Sequence, residues 1–182
     1  MRSISIPLGK FTLERFGSLE VERLTGLTQV QVRDWRRRGL LERGEGVRPY
    51  DVFDAAQIAI RLGLNRLGLP LGETAGPAAH FAPTVITEVC RRTVWTRDDK
   101  AEIARELDAL LGHPEPLVLL RQDVGGSHHV VGLDEDILAV ELSSRRLGPI
   151  WGVLDLSMIA SVLCGNSRFP LVTFTDATAA AR

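Results

Sequence analysis

The sequence predicts an α+β fold in which helices lead and short strands follow. Three observations predict it. Between Ser18 and Leu71 apolar residues recur at helical spacing and are punctuated by Gly26, Gly39 and Gly68. Helical periods resume over residues 84–111, broken once at Thr96-Arg97-Asp98-Asp99. Beyond Pro116 the pattern shortens to β-prone runs, Leu117-Val118-Leu119-Leu120 and His129 to Leu133, separated by Gly125-Gly126. With 182 residues, 45% of them hydrophobic, the chain can bury a real core.

Residues 1–17 carry Ile4, Ile6, Leu8, Phe11, Leu13 and Phe16, and Ile4-Ser5-Ile6-Pro7 reads as an extended arm that either touches a DNA groove or, in preference, packs under the helices that follow. Ser18 is expected to cap a short helix through Val21 and Leu24, which Gly26 stops. Thr28 and Gln31 then form a T-x-x-Q capping box, so a second helix begins there and reads to about Arg38. Val32 and Trp35 share one face of it. Gln29, Arg33 and Arg37 lie elsewhere, above the run Arg36-Arg37-Arg38. Helix, glycine turn, helix is the grammar of a helix-turn-helix.

The following stretch, Glu42 to Tyr50, suits a short hairpin or wing that lays Arg43 and Arg48 along a phosphate backbone. Asp51 or Asp54 opens a third helix that carries Phe53, Ala56, Ile58, Ile60, Leu64 and Leu67 toward Gly68. From Leu24 to Leu71 the pieces Leu24-Thr25-Gly26-Leu27-Thr28, Val32-Arg33-Asp34-Trp35, Gly39-Leu40-Leu41, Arg48-Pro49-Tyr50, Asp54 and Leu64 to Leu71 stand in order. In this order they resemble the winged helix-turn-helix DNA-binding domain of the MerR family. Asp34-Trp35 stands where that family has paired aromatics, and Val47 where it has an aromatic before the wing arginine.

The resemblance implies a winged-helix DNA-binding domain at residues 10–76 and a helical connector at 77–114. It also implies dimerisation by a long helix in that connector; a helical hairpin over an internal core fits the same residues. Gly72, Gly76, Pro77 and Pro83 read as a hinge, followed by helices from Thr84 to about Thr96 and from Lys100 to Leu111. In the second of these, Ile103, Leu107, Leu110 and Leu111 form an apolar seam. Residues 115–175 read as a small α+β effector or oligomerisation domain. Its expected strands are the two β-prone runs, Asp136 to Leu142 and Ile150 to Leu154. A helix from Asp155 or Ser157 to Leu163 follows, and Leu171 to Phe174 closes the sheet. The Thr-Ala-rich end from Thr175 is expected to fray.

Charge supports a divided role. The net charge is −1, but residues 1–76 hold 12 Lys and Arg against 9 Asp and Glu, and the rest hold 10 against 14. A basic head on an acidic rear fits DNA binding attached to something else. The expected DNA-contacting residues are Thr28, Gln29, Gln31, Arg33, Arg36, Arg37, Arg38, Arg43, Arg48 and Tyr50. Guanidinium groups fork onto phosphate or guanine, whereas Gln29 and Gln31 either contact adenine or serve as caps. Arg36 can instead pair inward with Asp34 or a first-helix glutamate, and the Tyr50 ring can anchor the wing rather than offer its hydroxyl.

No catalytic residue, metal ligand or cofactor is expected. Cys90 and Cys164 are far apart in sequence, read as structural, and point to a reducing cytoplasm. His128 and His129 alternate along a strand and cannot easily share an ion. Gly125-Gly126-Ser127-His128 reads as a turn, not a nucleophile, since no third group orients it. Trp95, Trp151, Phe169 and Phe174 line either a ligand pocket or, in preference, a core. The whole reads as a non-enzymatic, cytoplasmic transcriptional regulator, a homodimer on an inverted repeat of double-stranded DNA. A small-molecule effector and RNA polymerase are further partners, with no membrane role. The alternatives are an architectural, excisionase-like DNA-binding protein and a protein-interaction adaptor.

Overall fold

A computed structural model describes residues 2–41, 46–111, 116–122, 127–133 and 150–177. Over these the chain is a mixed α+β protein with six helices and small sheets. The amino-terminal hairpin consists of β1 (Ser3–Ile6) and β2 (Gly9–Leu13), and β3 (Arg15–Phe16) leads into α1 (Ser18–Thr25). Ser18 is the first helical residue rather than the cap: Gly17 occupies the cap, and the Glu20 carboxylate accepts its amide at 3.0 Å. Gly26 stops α1 at φ 76°, a conformation that glycine adopts without a Cβ penalty.

Helix α2 (Gln29–Arg37) starts at the expected capping box, with the Thr28 hydroxyl accepting the Gln31 amide at 3.3 Å and Gln31 Oε1 accepting the Thr28 amide at 3.0 Å. Strand β4 (Tyr50–Asp51) pairs antiparallel with β3, and Asp51 caps α3 (Val52–Arg66) by accepting the Asp54 amide at 3.1 Å. A single 3-10 turn at Leu71–Glu73 follows.

The expected hinge is not present. Helix α4 (Ala75–Thr93) runs through Gly76, Pro77 and Pro83. Pro77 lies in the first turn, where its missing amide proton costs nothing. At Pro83 the carbonyl deprived of a donor belongs to Ala79, which is exposed, so water can satisfy it. Burial of Ala78, Phe81, Ala82, Val85, Ile86, Val89 and Cys90 outweighs the proline penalty. The break at 96–99 is real, and α5 (Lys100–Leu111) folds back with Ile103 and Leu107 buried, while Leu110 of the expected seam is exposed. Arg91 on α4 is bound by Asp108 on α5, joining the two as a hairpin.

Strands β5 (Leu117–Gln122), β6 (His128–Leu133) and β7 (Ile150–Asp155) form one antiparallel sheet in the order β6-β5-β7. The Asp155 carboxylate then caps α6 (Leu156–Asn166). The expected strand at Asp136 to Leu142 lies outside the described residues. The last strand, β8 (Val172–Asp176), does not close that sheet. It pairs with β2 instead, Gly9 opposite Asp176 and Leu13 opposite Val172, giving a second sheet β1-β2-β8. Thr175 and Asp176 are therefore strand rather than frayed end. Phe11, fully buried, packs its ring 4.7 Å from that of Phe174, and Arg97 clamps Asp176 at 2.5 Å while stacking on Phe174.

One hydrophobic cluster runs through all of this. It contains Phe11 and Leu24, then Trp35 and Ile60, then Val85 and Leu107, then Val118 and Leu163. Residues from all three segments anticipated in the sequence thus share one interior. No helix among the described residues is long and apolar enough to cross a membrane.

Candidate nucleic-acid interface

Helix α2 divides cleanly. Val32 and Trp35 are buried against the core, and Gln29, Val30, Arg33 and Arg37 face outward. Arg33 meets no carboxylate among the described residues; its Nε donates to the Gln29 carbonyl at 3.4 Å. Asp34 accepts Arg37 Nη2 at 2.7 Å and Arg38 Nε at 2.8 Å, so one carboxylate is shared by two exposed guanidinium groups. Among the described residues Arg36 pairs with neither Asp34 nor a glutamate. Its guanidinium lies 4.7 Å from the Tyr50 ring, and two of its nitrogens, Nε and Nη2, are buried without a hydrogen-bond partner among the described residues.

Tyr50 is 3% exposed, so it is an anchor at the base of the α2–β4 connection and not a surface contact. Its placement there follows from the β3–β4 pair, which turns the ring inward opposite Phe16. Burial pushes its phenol above the ordinary value, against the neighbouring Arg36 guanidinium. Thr28 and Gln31 are committed to the cap, and Gln29 Nε2 donates to Glu22 on α1 at 3.2 Å. Arg48 is exposed. Arg43 lies outside the described residues. The structure therefore brings Gln29, Arg33, Arg37 and Arg38 together on one exposed helix face.

Two residues that hold this face are not evident as such in the sequence. Arg61 on α3 is 3% exposed. Its Nε donates to Thr74 Oγ1 at 3.1 Å, it also donates to the carbonyls of Leu40 and Leu71, and its guanidinium lies 5.2 Å from the Trp35 ring. It thereby ties the end of α2 to the start of α4; burial pulls its pKa down, and the hydrogen bonds compensate it. One signal could have found it: Ile58, Arg61 and Leu64 are three apart, which puts the arginine on the buried stripe. Arg15 on β3 donates to the carbonyls of Arg48 at 2.8 Å and Pro49 at 3.2 Å, fixing the segment that carries Arg48.

Of the rear aromatics, the Trp151 side chain lies outside those described. Trp95 is 70% and Phe169 65% exposed, whereas Phe174 is partly buried on Phe11. Both large rings lie in turns after helices, Trp95 with the Lys100 ammonium 4.7 Å from its ring. An apolar cavity of about 320 Å³ lies elsewhere, lined by Ile4, Leu13, Phe53, Pro83, Ile86 and Leu111 with Arg2 at its edge. Cys90 and Cys164, remote in sequence, are neighbours across α4 and α6; both thiols are free, and burial aided by Cys164 pushes that of Cys90 up to about 12. His128 and His129 alternate in burial along β6, and His128 Nδ1 lies 3.4 Å from the Glu73 carboxylate. No family model, curated protein or solved structure matches this chain.

Proposed function

We propose that the chain is a stoichiometric, sequence-specific DNA-binding transcriptional regulator built on a MerR-like winged helix-turn-helix. The observation that carries this reading is the exposed face of α2, with Gln29, Arg33, Arg37 and Arg38 outward and Trp35 locked inward by Arg61. A helix so held presents guanidinium groups to a major groove with its backbone already ordered. Arg48, whose carbonyl is held by Arg15, supplies a flanking backbone contact. Two copies on an inverted repeat double these contacts, and bending of the intervening DNA alters polymerase access. The reaction is binding and release, with no covalent step.

A second reading, a protein-interaction adaptor, is favoured by Asp34, which occupies Arg37 and Arg38. Magnitudes decide between them. Exposed ion pairs of this kind contribute roughly 0–1 kcal/mol, so a phosphate competes easily for either arginine. The test is selection of fragmented genomic DNA by the purified protein across a salt series, with recovered fragments sequenced. Enrichment of an inverted repeat, with affinity falling as salt rises, is the expected result. Enrichment of strongly bent but unrelated sites moves the assignment to an architectural protein, and no enrichment at any salt moves it to the adaptor.

A further inference from the structure

The connection between α6 and β8 carries a feature that folding alone does not account for. Phe169 is 65% exposed, flanked by exposed Arg168 and Pro170. Exposure of a large ring is ordinary on a loose loop that samples many positions, but this loop is tied down at both ends. Asn166 Nδ2 donates to the Leu24 carbonyl at the end of α1 at 3.4 Å, and the Leu171 carbonyl accepts the Glu14 amide at 3.0 Å. Between them the Ser167 hydroxyl accepts the Phe169 amide at 3.3 Å and also donates to the Phe169 carbonyl. The ring is therefore held out rather than left out.

What surrounds it is cationic and is supplied by β3, α1 and the segment that carries Arg48. Phe169 and Pro170 line a cleft of about 290 Å³ with Arg48, Arg15, Phe16, Glu14 and Glu20. On its other side Phe169 shares a shallow groove with Arg23 and Arg168. Four arginines stand against two glutamates, and both glutamates are engaged, Glu20 with the Gly17 amide and Glu14 with the Thr173 hydroxyl. An apolar tip among unbalanced guanidinium groups, beside the backbone-contacting Arg48, is complementary to a polyanion that also offers flat apolar faces.

We propose that the 167–170 loop is a second DNA-contacting element, Arg168 on a phosphate and Phe169 wedged against a base step in the minor groove flanking the Arg48 contact. This rests on the DNA-binding reading of α2. The loop extends each copy's footprint beyond α2 and adds a contact whose strength follows how readily a step unstacks, so flexible pyrimidine–purine steps are preferred at that position.

The test uses the full chain with a mixed-sequence duplex of about 30 base pairs, long enough for two half-sites one turn apart, and with the fragment most enriched in the genomic selection. Phe169→Ala is expected to weaken binding about tenfold, as loss of one aromatic–base stack does. Phe169→Trp should restore the affinity. Arg168→Ala should lower the slope of log affinity against log salt by about one. A 2-aminopurine at the flanking step should brighten with wild-type protein and not with Phe169→Ala. Thermal unfolding should be unchanged in all three variants. If wild-type protein binds DNA and Phe169→Ala binds equally well, the loop proposal fails while the DNA-binding reading stands. If Phe169→Ala alters only the mass of the protein in sedimentation, the ring is a protein contact and the proposal is wrong. If wild-type protein binds neither duplex at any salt, the DNA-binding reading falls and takes this proposal with it.

Discussion

Arg33 and Trp35 sit two residues apart on α2 and are expected to fail in opposite ways when replaced. Arg33 is exposed, as is Arg37, so Arg33→Ala and Arg37→Ala should leave unfolding unchanged and weaken DNA binding, most clearly at low salt. Trp35 is 6% exposed and packs beneath the Arg61 guanidinium, so Trp35→Ala should cost about 3–5 kcal/mol of stability, measured by denaturant unfolding. Unaltered affinity in both arginine variants would remove α2 as the contacting element. Cys90 gives a pH-dependent counterpart. Its thiol, pushed from an ordinary 9.0 up to about 12, stays protonated in the folded chain while the unfolded chain loses that proton. The stability it contributes is complete below the ordinary thiol value and declines as pH rises toward 12. Melting curves between these limits should fall more steeply for wild-type protein than for Cys90→Ala.

At the scale of elements, the places where sequence and structure agree are those decided by local chemistry. The Thr28–Gln31 box, the Asp51 cap, the Gly26 stop and the α4–α5 break at 96–99 each depend on residues within a turn of one another. The disagreements are decided at a distance. Helix α4 extends nine residues amino-terminal of the expected Thr84 start because its apolar face has α3, α5 and α6 to bury against, and no window of sequence contains those partners. The sequence leaves Arg36 and Tyr50 open between an outward and an inward role, and their contact with each other depends on β3 pairing with β4. Strand β8 is legible as a strand in nearly the right place but not as part of the right sheet, since pairing partners leave no local mark. That pairing is also a tight junction between elements. A Cβ on Gly9 would lie 2.4 Å from the backbone oxygen of Thr175 and 2.7 Å from the Phe174 ring. Because backbone cannot step aside as a side-chain tip can, Gly9→Ala should displace β8 and cost roughly 1–3 kcal/mol, seen as a lower melting temperature.

At the scale of the molecule, the single cluster from Ile6 to Val172 implies one cooperative unit. Calorimetry should therefore record one unfolding transition with matching calorimetric and van't Hoff enthalpies. Two separated transitions would instead restore the division into a DNA-binding head and a separate rear domain that the charge distribution suggests. The exposed face of α2 is thus supported from the whole interior, through Trp35 and Arg61 to α3 and α4. A substitution deep in α4 is expected to reach DNA affinity only through loss of the fold.

The β2–β8 ladder has a consequence for how the protein comes into being. Chains leave the ribosome amino terminus first, so β2 emerges long before its partner, which begins at Val172. Until then the nascent hairpin keeps one edge open and Phe11 lacks the ring it stacks on. The β1-β2-β8 sheet cannot close until the chain has been made past Val172, and a nascent chain arrested before that point presents an unpaired, apolar strand for chaperones to shield.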